Sequence, residues 1–248
     1  MLIVSNWKAY VEDADRAKKL AALAKRLSGK YRKHEIVLAP SYVHLGMLAN
    51  GNKSKVKYAA QDVSLTTGGA HTGEISAQML EGIDATYALV GHSERRAMGE
   101  TDAVVAEKAR HALAHGIAPI LCVGERERDA GAEYLSLVRA QITAVFAPLT
   151  PKERLTTVIA YEPVWAIGKS AADALPPHEV MEMVLYIRKV LGDFMPGKAP
   201  AKTKILYGAA VEPANARDLA AGTGIDGLLV GHASVETDTF SALVKALS

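Results

Sequence analysis

The amino-acid sequence predicts a single-domain (β/α)8 barrel, and three observations support this prediction. Eight short, β-branched runs recur along the 248 residues, and stretches of helical periodicity separate them, which is the alternation expected of an α/β fold. Several runs are apolar at consecutive positions, as parallel strands buried on both faces are. Each strand–helix unit occupies about 31 residues, and barrels of this class often reach ~250 residues as one domain. A doubly wound sheet is the competing architecture.

The runs predicted as strands are, in chain order, Leu2–Ser5, Glu35–Pro40, Val56–Asp62, Tyr87–His92, Ala118–Gly124, Thr156–Trp165, Lys204–Gly208 and Gly227–Gly231. The single cysteine, Cys122, falls in the fifth run and is expected to pack in the core. No stretch of linker composition divides the chain, so one domain is predicted over residues 1–248.

Amphipathic helices are predicted between these runs at Asp13–Ser28, Thr101–Gly116, Arg126–Ala147, Pro177–Leu191, Pro213–Ala221 and Glu236–Ser248. In the first helix the residues that share an apolar face are Ala17, Leu20, Leu23, Ala24 and Leu27, at the spacing of a helix with one buried side. The segment Met195–Lys204 is rich in Pro, Gly and Lys and is predicted as a loop.

Composition excludes several classes of protein. Apolar residues make up 49% and charged residues 23% of the chain, which excludes intrinsic disorder. The net charge of +2 gives no strong field toward nucleic acid or an anionic membrane surface. One cysteine excludes an internal disulfide and a cysteine metal cluster. No run approaches the ~18 apolar residues of a spanning helix, and the first residues do not resemble a signal peptide. A cytoplasmic location is therefore expected.

Polar side chains follow the first and fourth predicted strands, where the active groups of such barrels stand. Asn6 and Lys8 follow the first strand, and a spacing of two in an extended chain places both side chains on one side. His92 stands at the end of the fourth strand, where a histidine could act as an acid, a base or an electrophile. The structural alternatives are that Lys8 is a solvent-exposed loop lysine and that His92 is a core histidine whose hydrogen bonds are all made within the protein.

In the sixth predicted strand the apolar run leads to Glu162, which is followed by Pro163 and Trp165. A carboxylate among apolar neighbours suits a general base, although a buried Glu paired with an arginine is the structural alternative. The small residues around Gly168 suit a closing lid. Glycine-rich turns after the seventh and eighth strands leave backbone N–H groups free to hold a phosphate, or they are simply tight turns.

Taken together, these motifs resemble the triosephosphate isomerase family. GHSERR, PILCVGE, AYEPVWAIG, HTGEIS and LVG occur in the order and with the spacing of that family, and the resemblance extends over the whole chain. It implies the interconversion of dihydroxyacetone phosphate and D-glyceraldehyde 3-phosphate through an enediolate. It also implies that neither a metal ion nor an organic cofactor is needed.

The resemblance implies a role for each matching residue. Glu162 resembles the catalytic base, His92 the neutral imidazole that polarises the carbonyl, Lys8 the lysine that balances charge, and Asn6 the asparagine that hydrogen-bonds the substrate oxygen. The supporting residues are Ser93 and Glu94 beside His92, with Glu94 paired to Lys8; Ile167 and Leu229 around Glu162; and Gly168, Ala210, Gly231 and His232 as N–H donors to the phosphate. The loop that contains His71, Thr72, Gly73 and Glu74 resembles the one that enters a neighbouring subunit, which implies a homodimer.

The sequence departs from the family pattern at the phosphate end. Where the family has WAIGTG, Lys169 and Ser170 stand in place of the last two residues. Where it has YGGS, Ala209 and Ala210 stand in place of the last two, and where it has VGG, His232 stands in place of the last glycine. Ala210 lacks a hydroxyl group, so lid closure is expected to weaken by up to about tenfold, unless Ser170 replaces it. Ala209 and His232 require backbone angles that accept a Cβ. Two other functions stay open: isomerisation of a four-carbon ketose phosphate, and a non-catalytic barrel.

Overall fold

A closed barrel of eight parallel strands forms the centre of the protein. The computed structural model describes residues 1–169 and 174–248. The strands are β1 Leu2–Asn6, β2 Glu35–Ala39, β3 Lys57–Ala60, β4 Tyr87–Val90, β5 Ala118–Val123, β6 Val158–Tyr161, β7 Ile205–Tyr207 and β8 Gly227–Val230. Each pairs with its neighbour in sequence, and β1 pairs with β8. The predicted (β/α)8 barrel is therefore confirmed, and the doubly wound sheet is wrong.

The apolar runs are buried on both faces of the strands because successive residues point to opposite sides. Leu2 and Val4 of β1 belong to a cluster inside the barrel, together with Cys122 of β5. Ile3 lies between them in sequence and packs in the outer cluster, against the helices. The expectation that Cys122 is a buried packing residue is confirmed, since it is 1% exposed.

Ten α-helices lie in the described residues: α1 Ala14–Lys30, α2 Tyr42–Ala49, α3 Ala77–Glu81, α4 Ser93–Ala97, α5 Asp102–Ala114, α6 Glu133–Phe146, α7 Pro151–Thr156, α8 Pro177–Gly192, α9 Ala216–Ala220 and α10 Thr237–Ala246. Shorter 3-10 segments lie at Val164–Ala166, Ala199–Lys202 and His232–Ser234. The predicted apolar face of α1 is buried. No described helix is long and apolar enough to cross a membrane.

The helix predicted over Arg126–Ala147 begins later than expected, at Glu133. The Asp129 carboxylate accepts hydrogen bonds from the backbone N–H groups of Glu133 and Tyr134, at 2.9 and 3.0 Å. Ala132 has a left-handed backbone, with φ +58°, so the helix cannot extend back through it. The predicted loop Met195–Lys204 also contains a 3-10 turn at its end.

Four short helices, α2, α3, α4 and α7, were absent from the sequence prediction because they span too few turns for periodicity to show. Helix α7 nevertheless carries a local signal. Thr150 and Glu153 form a capping box, and Pro151 occupies the first turn, as the pattern T-P-K-E indicates.

Candidate active site

One cavity opens where β1, β4, β6, β7 and β8 end. Its volume is about 150 Å³, so it fits a small polar molecule rather than a drug-sized one. The sequence-predicted residues that line it are Asn6, Lys8, His92, Glu162, Ile167, Gly168, Ala210, Leu229, Gly231 and His232. The barrel therefore brings together side chains separated by up to 226 residues in sequence, from Asn6 to His232.

Two further groups of predicted residues lie outside this lining. Ser93 donates its backbone N–H to Glu162 Oε2 at 3.4 Å, and Glu94 accepts a hydrogen bond from Lys8 at 2.7 Å, so both contact the site. The four residues 71–74 are exposed in the loop after β3 and do not line the described cavity. Ser170, expected to replace a lid hydroxyl, lies outside the described residues.

Lys8 reaches the site through an unusual backbone conformation. Its φ is +47°, so the expectation of an extended chain from Asn6 to Lys8 was wrong. A left-handed backbone at a residue with a Cβ costs of order 1–3 kcal/mol and persists only when its surroundings enforce it. Here the Gln61 amide donates to the Lys8 and Ala39 carbonyls, both at 2.9 Å, and the Lys8 N–H donates to Asn6 Oδ1 at 3.1 Å.

The Lys8 ammonium forms an ion pair with Glu94, with Nζ 2.7 Å from Oε1. Burial raises the pKa of Glu94, but the hydrogen bond and charge of Lys8 outweigh it, and the pKa lies below its ordinary value. The pair therefore holds a charged lysine at the edge of the cavity. The expected pairing of these two residues is present.

His92 presents a hydrogen-bond donor to the cavity. Its Nδ1 accepts the backbone N–H of Glu94 at 3.2 Å, at the start of α4. A neutral imidazole that accepts at Nδ1 carries its proton on Nε2. This Nε2 lies 3.3 Å from Glu162 Oε1. The local hydrogen bond thus selects the tautomer whose N–H faces the site.

Glu162 follows β6 and is only 3% exposed. Two glycines allow it to lie there. A Cβ at Gly208 would stand 3.2 Å from Glu162 Cγ, and one at Gly124 would overlap the Glu162 carbonyl oxygen at 1.8 Å. Neither glycine was singled out in the sequence, although a glycine at a strand end signals close backbone approach.

The Cys122 thiol lies behind Glu162. Burial raises its pKa well above the ordinary value, and the Glu162 carboxylate raises it further. A thiol that stays protonated is a poor nucleophile, which agrees with the expected packing role. Together with Gly124 and Gly208, Cys122 closes the wall of the site behind the carboxylate.

The segment 163–169 is anchored where it leaves the barrel by Glu125, which is completely buried. Glu125 Oε1 accepts hydrogen bonds from Tyr161 Oη at 2.8 Å and from Trp165 Nε1 at 3.2 Å. Burial and then the Glu125 charge raise the pKa of Tyr161, so its phenol stays a donor. The sequence prediction did not include Glu125, although a charged residue directly after a buried strand was the available signal.

Small residues and backbone N–H groups line the end of the cavity formed after β7 and β8. The residues other than glycine with positive φ in the described chain are Lys8, Asp84 and Ala132. Ala209 and His232 are not among them, so the condition that these positions accept a Cβ is met. The Asn215 amide donates to the Ala210 carbonyl at 2.8 Å and steadies this loop.

Five lining residues were not among the site residues predicted from the sequence: Tyr10, Gly208, Val211, Glu212 and Ala233. They come from loops whose positions depend on the closed barrel. In the described ranges, no group of three or more His, Cys, Asp and Glu is arranged to hold a metal ion. What the arrangement offers chemically is a buried carboxylate opposite an imidazole N–H, with a lysine nearby.

Comparison with known proteins places the chain among relatives of the same length. The profile of the family described as Triosephosphate isomerase matches residues 1–247. A triosephosphate isomerase of Roseiflexus sp. (strain RS-1) is 40% identical, with 99% of this chain and 97% of the relative covered. Those of Roseiflexus castenholzii and Thermus thermophilus are 41% and 42% identical, with 97% and 98% of each relative covered and 100% and 99% of this chain.

Proposed function

This chain belongs to the triosephosphate isomerase family, and from that premise we propose that it interconverts dihydroxyacetone phosphate and D-glyceraldehyde 3-phosphate. The observation that carries the proposal is the pairing of a buried carboxylate with an imidazole donor: His92 Nε2 lies 3.3 Å from Glu162 Oε1. Proton transfer next to a carbonyl needs a base for the carbon and a donor for the oxygen. Both groups meet in this cavity.

The reaction then uses each group in turn. Glu162 takes a proton from the carbon beside the carbonyl, the C–H electron pair forms the carbon–carbon double bond, and the carbonyl oxygen becomes an enediolate oxygen. His92 Nε2–H and the Asn6 amide donate hydrogen bonds to the substrate oxygens, and the Lys8 charge stabilises the intermediate. Glu162 returns the proton to the neighbouring carbon as the hydroxyl proton shifts between the oxygens, which completes an isomerisation without net redox change.

The observed contacts of Glu162 must change when substrate binds. Its Oε2 accepts the Ser93 N–H at 3.4 Å, and a base needs a free lone pair for the substrate proton. An enediolate phosphate also loses phosphate in water, so the site must exclude water during the reaction. We assign that task to Ile167 and Leu229, which line the cavity beside Glu162, and to the segment around Gly168.

A homodimer is part of the proposal. The exposed loop that contains residues 71–74 follows β3, between the loops of β2 and β4. The segments that follow β2 and β4 expose large apolar side chains, including Val43 of α2 at 80% and Met98 after α4 at 76%. A second copy that covers them would remove this apolar surface from water.

Two further assignments complete the proposal. We assign residues 1–248 to one domain, because the eight strand–helix units extend over the chain. We also propose a cytoplasmic location, which suits an enzyme of glycolysis and gluconeogenesis with one buried cysteine. No cofactor, nucleic acid or membrane enters the proposed reaction.

The test is a coupled assay in both directions, with glyceraldehyde 3-phosphate and with dihydroxyacetone phosphate. We expect conversion of both, and a higher kcat/KM for them than for four-carbon ketose phosphates. A preference for the four-carbon compounds would establish the paralogous isomerase instead. No conversion of any of them at micromolar enzyme would leave the non-catalytic barrel.

A further inference from the structure

Two side chains that can carry positive charge line the cavity beside its glycine-rich end. His232 follows β8, and Lys169 follows the 3-10 segment Val164–Ala166; both line the same cavity as Gly208 and Gly231. We propose that the His232 imidazole and the Lys169 ammonium bind the phosphate group of the substrate directly. This inference rests on the proposed function, and it adds two side-chain ligands to the backbone N–H donors of that site.

The His232 ring is held at the cavity by an aromatic neighbour. Its centroid lies 5.7 Å from that of Tyr10, and the two rings are nearly perpendicular at 85°. This edge-to-face geometry is a favoured aromatic contact, and Tyr10 lines the cavity as well. The imidazole is therefore oriented before the ligand arrives, which lowers the entropy that binding must overcome.

Lys169 is held from the other side by the indole of Trp165. Its Nζ lies 5.6 Å from the ring centroid, within the range of a cation–π contact. Trp165 is itself fixed, because its Nε1 donates to the buried Glu125 carboxylate at 3.2 Å. This contact restrains an exposed lysine that also lines the cavity.

The carboxylates in the cavity would oppose binding of a phosphate unless positive groups offset their charge. Glu162 and Glu212 both line it, and the Lys8 ammonium is already paired with Glu94 at 2.7 Å. A phosphate dianion that enters therefore approaches two carboxylates. The Lys169 ammonium supplies compensating charge, and it and a His232 ring N–H each offer a hydrogen bond to a phosphate oxygen.

The direct test is an NMR titration of the full chain with inorganic phosphate, which measures binding without activity. The variants are His232→Gly, His232→Asn, Lys169→Thr and the double variant His232→Gly/Lys169→Thr. Because both side chains are exposed and screened, we expect the phosphate Kd to rise roughly threefold for each glycine or threonine variant and roughly tenfold for the double variant. His232→Asn retains a Cβ, so a similar rise there assigns the loss to the imidazole rather than to glycine flexibility.

Lys152→Thr is the matched control, since Lys152 is an exposed residue of α7, which precedes β6 and so lies at the opposite end of the barrel. It should leave the phosphate Kd unchanged. In kinetics, the double variant should lose about tenfold more kcat/KM for glyceraldehyde 3-phosphate than for D-glyceraldehyde, which has no phosphate.

An unchanged phosphate Kd in the double variant would overturn the inference, and so would an equal loss with both substrates, because a merely structural role predicts that result. The proposed function fails separately. If the unmutated chain does not isomerise triose phosphates but its phosphate affinity falls in the variants as described, the anion site stands and the isomerase assignment does not.

Discussion

The tautomer of His92 depends on a single backbone hydrogen bond. The Glu94 N–H donates to His92 Nδ1, so a proton on Nδ1 would point at the Glu94 N–H. Of the two neutral tautomers, this hydrogen bond selects the one with its proton on Nε2, the nitrogen that faces Glu162.

At Glu162, we predict that Glu162→Gln lowers kcat by about 10²- to 10⁴-fold, the usual contribution of a general base. The carboxamide keeps the size of the side chain but cannot take the proton, so KM should change much less than kcat. Glu162→Asp, which withdraws the carboxylate by one methylene, should also lower kcat far more than it raises KM. Steady-state kinetics with glyceraldehyde 3-phosphate measures both constants.

Glu212→Gln is the control for this experiment, because Glu212 lines the same cavity without a place in the proton transfer. It should retain far more of kcat than Glu162→Gln. Turnover near that of the unmutated chain in Glu162→Gln would refute the assignment of the base.

At the scale of secondary-structure elements, a buried ion cluster joins the loop after β3 to α4 and α5. Lys108 of α5 is 4% exposed, and its Nζ lies 2.7 Å from both Asp62 oxygens and 2.6 Å from Glu100 Oε1. Arg95 of α4 contacts both carboxylates. The cluster fixes α4, whose first turn orients His92, against its neighbours.

The pKa values of the two carboxylates in this cluster are shifted in opposite directions. Burial raises the pKa of Asp62, and Lys108 only partly opposes it. Burial also raises the pKa of Glu100, but Lys108 and Arg95 outweigh it and the pKa falls below its ordinary value. The lysine is thus the main partner of both acids, so its loss should cost more than an exposed ion pair does.

We predict that Lys108→Met lowers the free energy of unfolding by about 3–5 kcal/mol, the usual cost when one partner is removed from a buried pair. Only Arg95 then compensates Asp62 and Glu100. Urea denaturation followed by circular dichroism measures the change. Lys152→Met, the same substitution on an exposed residue, should leave the midpoint nearly unchanged; equal midpoints for the two variants would contradict the prediction.

At the scale of the whole molecule, closure of the barrel creates the site, and exposed apolar side chains lie at one side of it. The segments that follow β2, β3 and β4 are neighbours, and their exposed apolar residues include Val43 and Met47 of α2, Leu65 and Met98. The near-zero net charge of +2 does not oppose association of two copies through this surface.

We predict that Thr72→Arg weakens the proposed dimer at least about 100-fold, because an unpaired guanidinium would be buried in the interface. Sedimentation velocity over a range of protein concentrations measures the association. Thr156→Arg is the control, since Thr156 is an exposed residue of α7 and should leave association unchanged. If the two variants and the unmutated chain sediment alike, this loop does not form the interface.

The sequence by itself determined the barrel, because eight apolar runs and the helices between them are local patterns that repeat many times. It also indicated Asn6, Lys8, His92 and Glu162, since each lies at the end of a strand or within two residues after it. It could not indicate how Lys8 reaches the site. Its left-handed backbone depends on Gln61, 53 residues away in sequence.

Only the tertiary structure revealed the partners that lie far apart in the chain. Gly124 and Gly208 make room for Glu162, Glu125 holds Tyr161 and Trp165, and Tyr10 faces His232. The sequence does not show which residues these side chains contact, because packing and hydrogen bonds across the barrel leave no periodic pattern. Local patterns specify the elements, whereas contacts between strand ends specify the geometry in which the chemistry takes place.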